Sequence, residues 1–255
     1  MSILDVHTHP LFRAEGCVRE TVGAFLNHAR AQGITRVVAL GDVLAYGRSP
    51  TAAQLREIND DTAWLVATFP GQIMGFCYLN PTLGERAVRA EVDRGVALGL
   101  RGIKLEIANN ARDACMRPVM QAAEEHGLVV LQHAWSMTKI RQRSFHTDPE
   151  DAVLLARRYP NVRVIMAHLT GCGVRGVLAA RGCDNLWVDT SGAAPEAGLV
   201  GYAVEQLGVG KVLYGSDAPI RDYAVALARI TDAGLTASEQ RRILGQNAKE
   251  LLNWS

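Results

Sequence analysis

Short apolar segments recur along the chain, and each is followed by a segment with helical spacing. The apolar segments are residues 3–9, 36–41, 73–79, 102–107, 128–134, 162–169, 186–191 and 211–217. Near-continuous hydrophobicity of this kind is typical of parallel strands covered by helices. Between them, apolar residues recur at i, i+3 and i+4 and a glycine often follows, which predicts helices. Such helices are expected over residues 21–33, 85–99, 117–127, 148–160 and 237–254.

Eight strand–helix units, with a repeat of about 30 residues, predict an α/β fold of the (β/α)8 or TIM-barrel type. A doubly wound open sheet is the alternative, although such sheets more often stop at about five to seven strands. Asp148 is the expected N-cap of its helix, with Pro149 at the first helical position. No Ser/Pro-rich linker or low-complexity tract divides the chain. We therefore expect residues 1–255 to form a single domain with an extra C-terminal helix.

The amino-acid composition limits the kinds of binding partner that the protein is expected to have. The chain has 255 residues, 48% of them hydrophobic, and a net charge of +1, so neither nucleic acid nor an anionic membrane is expected as a partner. Five scattered cysteines without a CxxC motif indicate reduced thiols. The sequence has no signal-peptide pattern and no apolar run of about 18 residues. These features predict a cytoplasmic protein that binds a small molecule, and they leave homo-oligomer formation open.

The first predicted strand carries polar residues at alternate positions, in MSILDVHTHP. Residues i and i+2 of a strand share a face, so Asp5, His7 and His9 are expected to point the same way, either as half of a metal site or as a polar edge strand. Other predicted strands end in residues of the same kind, which are Glu106, His133, His168 and Asp217. The strand ends of such barrels converge, and packing these groups without a cation would cost about 1–3 kcal/mol for each unpaired one. The set therefore predicts a metal site.

Five motifs, in order along nearly the whole chain, resemble the amidohydrolase superfamily. They are DVHTH, RGIKLE, LQHA, IMAHLTG and LYGSDAP, and the closing GQNAKELL resembles the terminal helix of that superfamily. The likeness is to the branch of amidohydrolase-related proteins that contains metal-dependent hydrolases and non-oxidative decarboxylases. The resemblance implies that His7, His9 and Asp217 bind metal, and that His133 and His168 are the strand-5 and strand-6 histidines.

The resemblance leaves open whether one or two ions are bound. In binuclear members a strand-4 carboxylate or a carbamylated lysine bridges two metals, and here Glu106 is the expected bridge, with Lys104 as the alternative. Otherwise Lys104 and Glu106 form a buried ion pair in a mononuclear barrel, where His168 acts on water instead of binding metal. Imidazole and carboxylate ligands favour zinc, with manganese, iron and nickel as alternatives.

The expected chemistry is the hydrolysis of an ester, lactone or amide bond in a small molecule by a metal-activated water, with an anionic molecule as one option. Asp217 is the expected general base and then acid, and Asp5 is expected to orient a ligand histidine. The closest alternative is a decarboxylase or hydratase with the same ligands. A non-catalytic metal-binding barrel would be expected to lack a ligand, and every ligand position is filled.

Candidate substrate contacts lie in loops beside the strand ends. The long loop at 135–147 carries Lys139, Arg141 and Arg143, which suit a carboxylate or phosphate but equally a solvated cationic loop or a subunit contact. Further candidates are Arg13, Asn80, Trp135, Asp189 and Arg221. Residues 171–176, GCGVRG, match the glycine spacing of a dinucleotide-binding loop but lack an acidic residue about 20 positions on. They predict a tight turn whose N–H groups contact an anionic part of the substrate.

Overall fold

Parallel strands form a barrel in the computed structural model, which describes residues 2–136, 144–194 and 196–254. Within these ranges one eight-stranded sheet contains β1 Ile3–Thr8, β2 Ile34–Ala39, β3 Ile73–Leu79, β4 Gly102–Leu105, β5 Val129–Gln132, β6 Val164–Met166, β7 Leu186–Asp189 and β8 Val212–Leu213. Each strand pairs in parallel with the next in sequence. The Val6 N–H donates to the Tyr214 carbonyl at 3.0 Å, which brings β1 beside β8. The predicted (β/α)8 barrel is confirmed.

Helices follow the strands and cover the outside of the barrel. They are α1 Val22–Ala31, α2 Ala52–Thr68, α3 Glu85–Ala97, α4 Arg117–Glu125, α5 Pro149–Arg158, α6 Leu169–Ala180, α7 Leu199–Leu207 and α8 Tyr223–Thr231. Short 3-10 helices occupy Arg13–Glu15, Arg19–Thr21, Pro81–Leu83, Ala114–Met116 and Val209–Lys211. The α5 helix begins at Pro149 after Asp148, as the N-cap prediction required. Among the described residues, no helix has the length and hydrophobicity needed to cross a lipid bilayer.

The C-terminal helix is present, but it is divided where a single continuous helix was expected. The α9 helix covers Ala237–Arg241, a π-helical turn covers Arg242–Gln246, and α10 covers Asn247–Leu252. Gly245 in this turn lies against the start of β1, where a Cβ atom would come within 3.1 Å of the Ser2 carbonyl oxygen. The close approach of two backbones at this point accounts for both the glycine and the interruption.

The barrel interior is apolar at the end that α10 closes. Leu4 and Val6 of β1 belong to one buried cluster with side chains of the other strands and of α10, which are Val38, Leu40, Phe76, Val129, Leu131, Ile165, Ala167, Leu213, Ala248, Leu251 and Leu252. The register of β1 against β2 shifts between Asp5 and Thr8, so the backbone is irregular where the His7 and His9 side chains emerge. Polar side chains therefore collect at the opposite, C-terminal end of the strands.

Candidate metal centre

Three buried side chains meet where β1 and β8 end. The Nε2 atoms of His7 and of His9 each lie 3.6 Å from Asp217 Oδ1. The ligand atoms of this group all lie within 4.8 Å of one another. Asp217 adopts a left-handed backbone conformation, with φ 67°, and its N–H donates to the His7 carbonyl at 2.8 Å. A positive φ is uncommon for a residue other than glycine and is found preferentially at functional sites.

The histidines of this region are oriented through their Nδ1 atoms. Each Nδ1 lies 2.8–2.9 Å from an oxygen that can only accept a hydrogen bond, in the pairs His7–Asp189 Oδ2, His9–Gly41 O and His133–Glu106 Oε1. An Nδ1–H that donates to such an oxygen leaves the Nε2 lone pair of a neutral imidazole free. Metal-binding histidines are commonly held in this way by a carboxylate or a backbone carbonyl.

The donor set fits a divalent cation. His7 Nε2 is buried and has no hydrogen-bond partner among the described residues. A buried polar atom left without a partner costs about 1–3 kcal/mol, which coordination would recover. Imidazole nitrogens together with a carboxylate oxygen are ligands of zinc and of other first-row transition metals. Burial tends to raise the pKa of Asp217, but its hydrogen bond with His9 and the nearby histidines hold that pKa below its usual range.

His168 lies beside this group and is held separately. Its Nδ1 is 2.9 Å from Ser191 Oγ, its Nε2 is 3.2 Å from His133 Nδ1, and its ring centroid is 4.7 Å from that of His7. His168 also has a left-handed backbone, with φ 64°. Burial, reinforced by His7 and His133, lowers the pKa of His168 well below its usual value, so its imidazole is neutral at pH 7. With His7 and Asp189 it forms a second group of closely spaced ligand atoms.

Glu106 contacts Lys104 and His133. Its Oε2 is 3.0 Å from Lys104 Nζ, and its Oε1 is 2.8 Å from His133 Nδ1. Burial tends to raise the pKa of Glu106, but His133 and Lys104 hold it well below its usual range. In the part of the chain that the structure describes, Glu106 belongs to neither group of side chains whose potential ligand atoms lie close enough together to bind one metal ion. This geometry corresponds to the buried ion pair of the mononuclear alternative, and the bridging role of Glu106 stays a prediction.

Asp5 does not contact a histidine ring, contrary to the expected role. Its Oδ1 accepts from the backbone N–H groups of His7 and Ser216, both at 3.0 Å, so it ties the end of β1 to the segment after β8. Burial raises the pKa of Asp5 to about 7. The ring of His7 is held instead by Asp189, which the sequence had offered only as a substrate contact.

Ser191 contacts His168 and is not among the site residues predicted from the sequence. It stands two positions after Asp189 at the end of the seventh strand, so the alternation of side chains already placed both residues on one face. The hydrogen bond between Ser191 and His168 joins residues 23 positions apart, and no local pattern in the sequence indicates it.

Two of the expected substrate contacts lie near the site. The Trp135 ring is 5.5 Å from the His168 ring and covers Gly171, where a Cβ atom would come within 2.5 Å of the indole. Arg221 follows Asp217 in the loop after β8 and donates its N–H to the Asp217 carbonyl at 3.1 Å. Its guanidinium is partly buried, and its Nε has no hydrogen-bond partner among the described residues.

Other expected contacts have different partners. Arg13 is exposed, with its guanidinium 3.8 Å from Asp61, and the buried Asn80 side chain donates to the Pro50 carbonyl and caps the turn Pro81–Leu83. Both are thus engaged in holding surface loops. Lys139, Arg141 and Arg143 lie outside the described residues.

Two N–H groups of the glycine-rich turn after β6 are used within the protein. The N–H groups of Gly171 and Cys172 donate to the His168 carbonyl at 2.7 and 2.8 Å, so they are not free for an anion. These bonds fix the backbone of His168 where the chain turns from β6 into α6.

A barrel with histidines and a carboxylate converging at its strand ends indicates a metal-dependent enzyme of the TIM-barrel class. The family model described as amidohydrolase matches residues 4–254. The chain therefore belongs to the amidohydrolase family, whose enzymes are metal-dependent. No curated protein shows a significant match to the chain.

Solved structures of similar fold include enzymes of two reaction classes. The chain aligns with 5-carboxyvanillate decarboxylase from Sphingomonas paucimobilis at a TM-score of 0.76 and 17% identity, covering 99% of both chains. A dihydroxybenzoic acid decarboxylase from Polaromonas sp. JS666, solved with manganese and the inhibitor 2-nitroresorcinol, aligns at 0.73 and 15%, covering 99% of this chain and 96% of that one. A candidate 2-pyrone-4,6-dicarboxylic acid hydrolase from Pseudomonas putida aligns at 0.69 and 19%, covering 99% and 98%. At these identities the likeness shows the fold.

Proposed function

We propose that the chain is a mononuclear metal-dependent hydrolase that cleaves an ester, lactone or amide bond in a small anionic molecule. The observation that carries this proposal is the separation of two roles. His7, His9 and Asp217 present clustered ligand atoms, whereas His168 is tied to Ser191 and remains neutral beside them. One group of residues is thus suited to holding a cation, and a different residue is suited to moving a proton.

His7, His9 and Asp217, whose ligand atoms are clustered, would hold the cation, with His133 as a further proposed ligand that lies outside this cluster among the described residues. A bound divalent ion would polarise a substrate carbonyl and make water more acidic. His168 takes the proton from the attacking water and returns it to the leaving group, because its low pKa keeps it in the basic form at neutral pH. Asp217 stays ionised and accepts a hydrogen bond from the same water, in place of the full base and acid role expected from the sequence.

Residues at the mouth of the site suit a flat, negatively charged substrate. The Trp135 indole gives a rigid apolar surface 5.5 Å from the His168 ring, against which a planar molecule can stack. Arg221 lies on the loop that follows Asp217, its guanidinium donates to the Ile220 carbonyl at 3.3 Å, and among the described residues it forms no ion pair with a carboxylate. Arginine forms bidentate hydrogen bonds with carboxylates, which supports an anionic substrate.

Non-oxidative decarboxylation is the second candidate function. Trp135 beside His168 is also suited to an aromatic acid, and two of the solved structures of similar fold are decarboxylases of hydroxylated benzoic acids. In that reaction the bond between the ring carbon and the carboxyl carbon breaks, carbon dioxide leaves, and the ring carbon takes a proton that neutral His168 has first collected from water. The same residues serve both reactions, so the products must decide between them.

The proposal is tested by measuring products on protein reconstituted with zinc or manganese. Esters, lactones and amides bearing a carboxylate are screened by proton release, and hydroxylated aromatic acids are screened by carbon dioxide release. We expect metal-dependent turnover in the first panel. Carbon dioxide release without hydrolysis would replace the first function with the second. Metal-loaded protein that turns over nothing in either panel would contradict both.

Glu106→Gln is expected to leave the number of bound cations unchanged. In this account Glu106 orients His133 and does not bridge two metal ions. Loss of its carboxylate therefore weakens cation binding by about 10- to 100-fold without removing a metal site. Elemental mass spectrometry after dialysis against a saturating metal buffer gives the number of ions per chain, and competition with a chelator gives the affinity. A fall in the number of ions from two to one would show that Glu106 bridges two ions after all.

A further inference from the structure

We infer that Ser191 is a positioning residue for His168, at the centre of a hydrogen-bond chain that runs from Asp189 through Ser191 to His168. Ser191 Oγ lies 2.9 Å from His168 Nδ1, and its hydroxyl donates to Asp189 Oδ1. All three side chains are buried. The inference rests on the proposed function only in so far as His168 is the group that moves the proton.

The donor and acceptor of each hydrogen bond between Asp189, Ser191 and His168 follow from the surroundings of Asp189. Its Oδ1 accepts from the backbone N–H of His168 at 3.2 Å and of Ser191 at 3.0 Å, and its Oδ2 accepts from His7 Nδ1 at 2.9 Å. A carboxylate that faces so many donors acts only as an acceptor. The Ser191 hydroxyl proton therefore points to Asp189, and only lone pairs of its oxygen remain for His168.

This direction selects one form of the His168 ring. The Ser191 oxygen must accept a hydrogen bond, so the imidazole proton of His168 lies on Nδ1. A neutral imidazole carries one N–H, and Nε2 is then the basic nitrogen. Nε2 is also the atom that lies 3.2 Å from His133 Nδ1, on the side of the metal-binding histidines. The basic nitrogen of His168 therefore faces the ring of His133.

The backbone around Ser191 is held on both sides. Arg229 of α8 donates to the Thr190 carbonyl at 3.2 Å and to the Gly192 carbonyl at 2.9 Å. Thr170 donates to the Ser191 carbonyl through its hydroxyl at 2.9 Å and its N–H at 3.1 Å. These contacts fix the serine hydroxyl before any substrate arrives, which is what a positioning group requires.

One carboxylate thus sets the protonation of two rings. Asp189 bonds His7 directly and His168 through Ser191, and the two ring centroids are 4.7 Å apart. Both histidines therefore carry their protons on Nδ1 and present Nε2 lone pairs. Without Ser191, His168 would be free to place its proton on either nitrogen, and part of the protein would hold an inactive form.

The test is ¹⁵N NMR of the histidine rings in the zinc-loaded protein, with the His168 signals assigned by their loss in His168→Gln. We expect His168 to carry its proton on Nδ1 in the natural protein. In Ser191→Ala we expect a mixture of both forms and a fall in kcat of about 10- to 100-fold, with KM and zinc content unchanged. Ser191→Thr keeps the hydroxyl and is expected to restore the Nδ1–H form.

Ser136→Ala is the matched control. Its hydroxyl donates to the Cys172 carbonyl at 2.8 Å, close to the turn that follows His168, and among the described residues it makes no hydrogen bond to the His168 ring. We expect this variant to leave the His168 signals unchanged, so that a general effect of losing a serine hydroxyl is excluded.

A proton on Nε2 of His168 in the natural protein would overturn the inference, even if Ser191→Ala failed to fold. Unchanged His168 signals and unchanged kcat in a folded Ser191→Ala protein would overturn it as well. The ring signals are read without any substrate, so the inference can fail while the proposed function stands. Conversely, absence of hydrolysis by the natural protein would contradict the proposed function, while the expected NMR signals of the His168 ring would stay the same.

Discussion

Asp217→Asn is expected to lower turnover by about 10³-fold. Asp217 Oδ1 is the atom that both His7 and His9 face at 3.6 Å, and its carboxylate is the charged member of their group. Asparagine has a similar shape, so the fold is kept, but it removes the negative charge that favours a cation and replaces one of the two acceptor oxygens by an NH2 donor. Removing one preorganised hydrogen-bonding group from a reacting centre costs about 10²–10³-fold, and the weaker cation site adds to that loss.

The measurement is kcat/KM at saturating zinc, together with the affinity for zinc. Asp222→Asn is the control, because Asp222 lies five positions further on, is exposed, and caps α8 by accepting from the Ala224 and Val225 N–H groups. Asparagine caps helices as well as aspartate does, so this variant should behave as the natural protein. Activity retained in Asp217→Asn would remove Asp217 from the site.

The second large effect is expected for His168→Gln. Glutamine cannot take and return a proton at neutral pH, so turnover should fall by about 10²–10⁴-fold. The number of bound ions should stay the same, because in this account His168 moves the proton and does not bind the metal. The combination of lost turnover and retained metal separates the base from the ligands.

The two roles of His168 are distinguished by elemental analysis of the same preparation that is assayed. His126→Gln is the control, because His126 is exposed at the end of α4 and bonds Asp93 at 2.8 Å. We expect its activity and its metal content to be unchanged. Loss of the ion from His168→Gln would make His168 a ligand, which the second group of closely spaced atoms around His7 and Asp189 would then explain.

The barrel itself could be predicted from the chain because its signals are local. Each strand is a short apolar run, and the start of α5 is specified by Asp148 and Pro149. The interruption at Gly245 was not predictable in the same way. It depends on the approach of β1, which lies more than 200 positions away in the sequence.

The residues of the site could likewise be predicted only in part. His7, His9 and Asp217 were placed together because strand ends of a barrel converge, and the structure brings them together. The partners of these residues were not predictable, since Asp189 holds His7 across 182 positions and Glu106 turns toward Lys104 and His133. Arg13 and Asn80 lay near strand ends in sequence, but Asp61, Pro50 and Thr82 hold them in surface loops.

The central claim is that one cation is bound by the histidines and the aspartate at the strand ends. The most direct test is the metal content per chain, measured by elemental mass spectrometry on protein purified without a chelator or a histidine tag and then loaded with zinc. The account predicts one ion per chain, lost in a His7→Ala/His9→Ala double variant. Two ions per chain, or no ion even after loading, would contradict it.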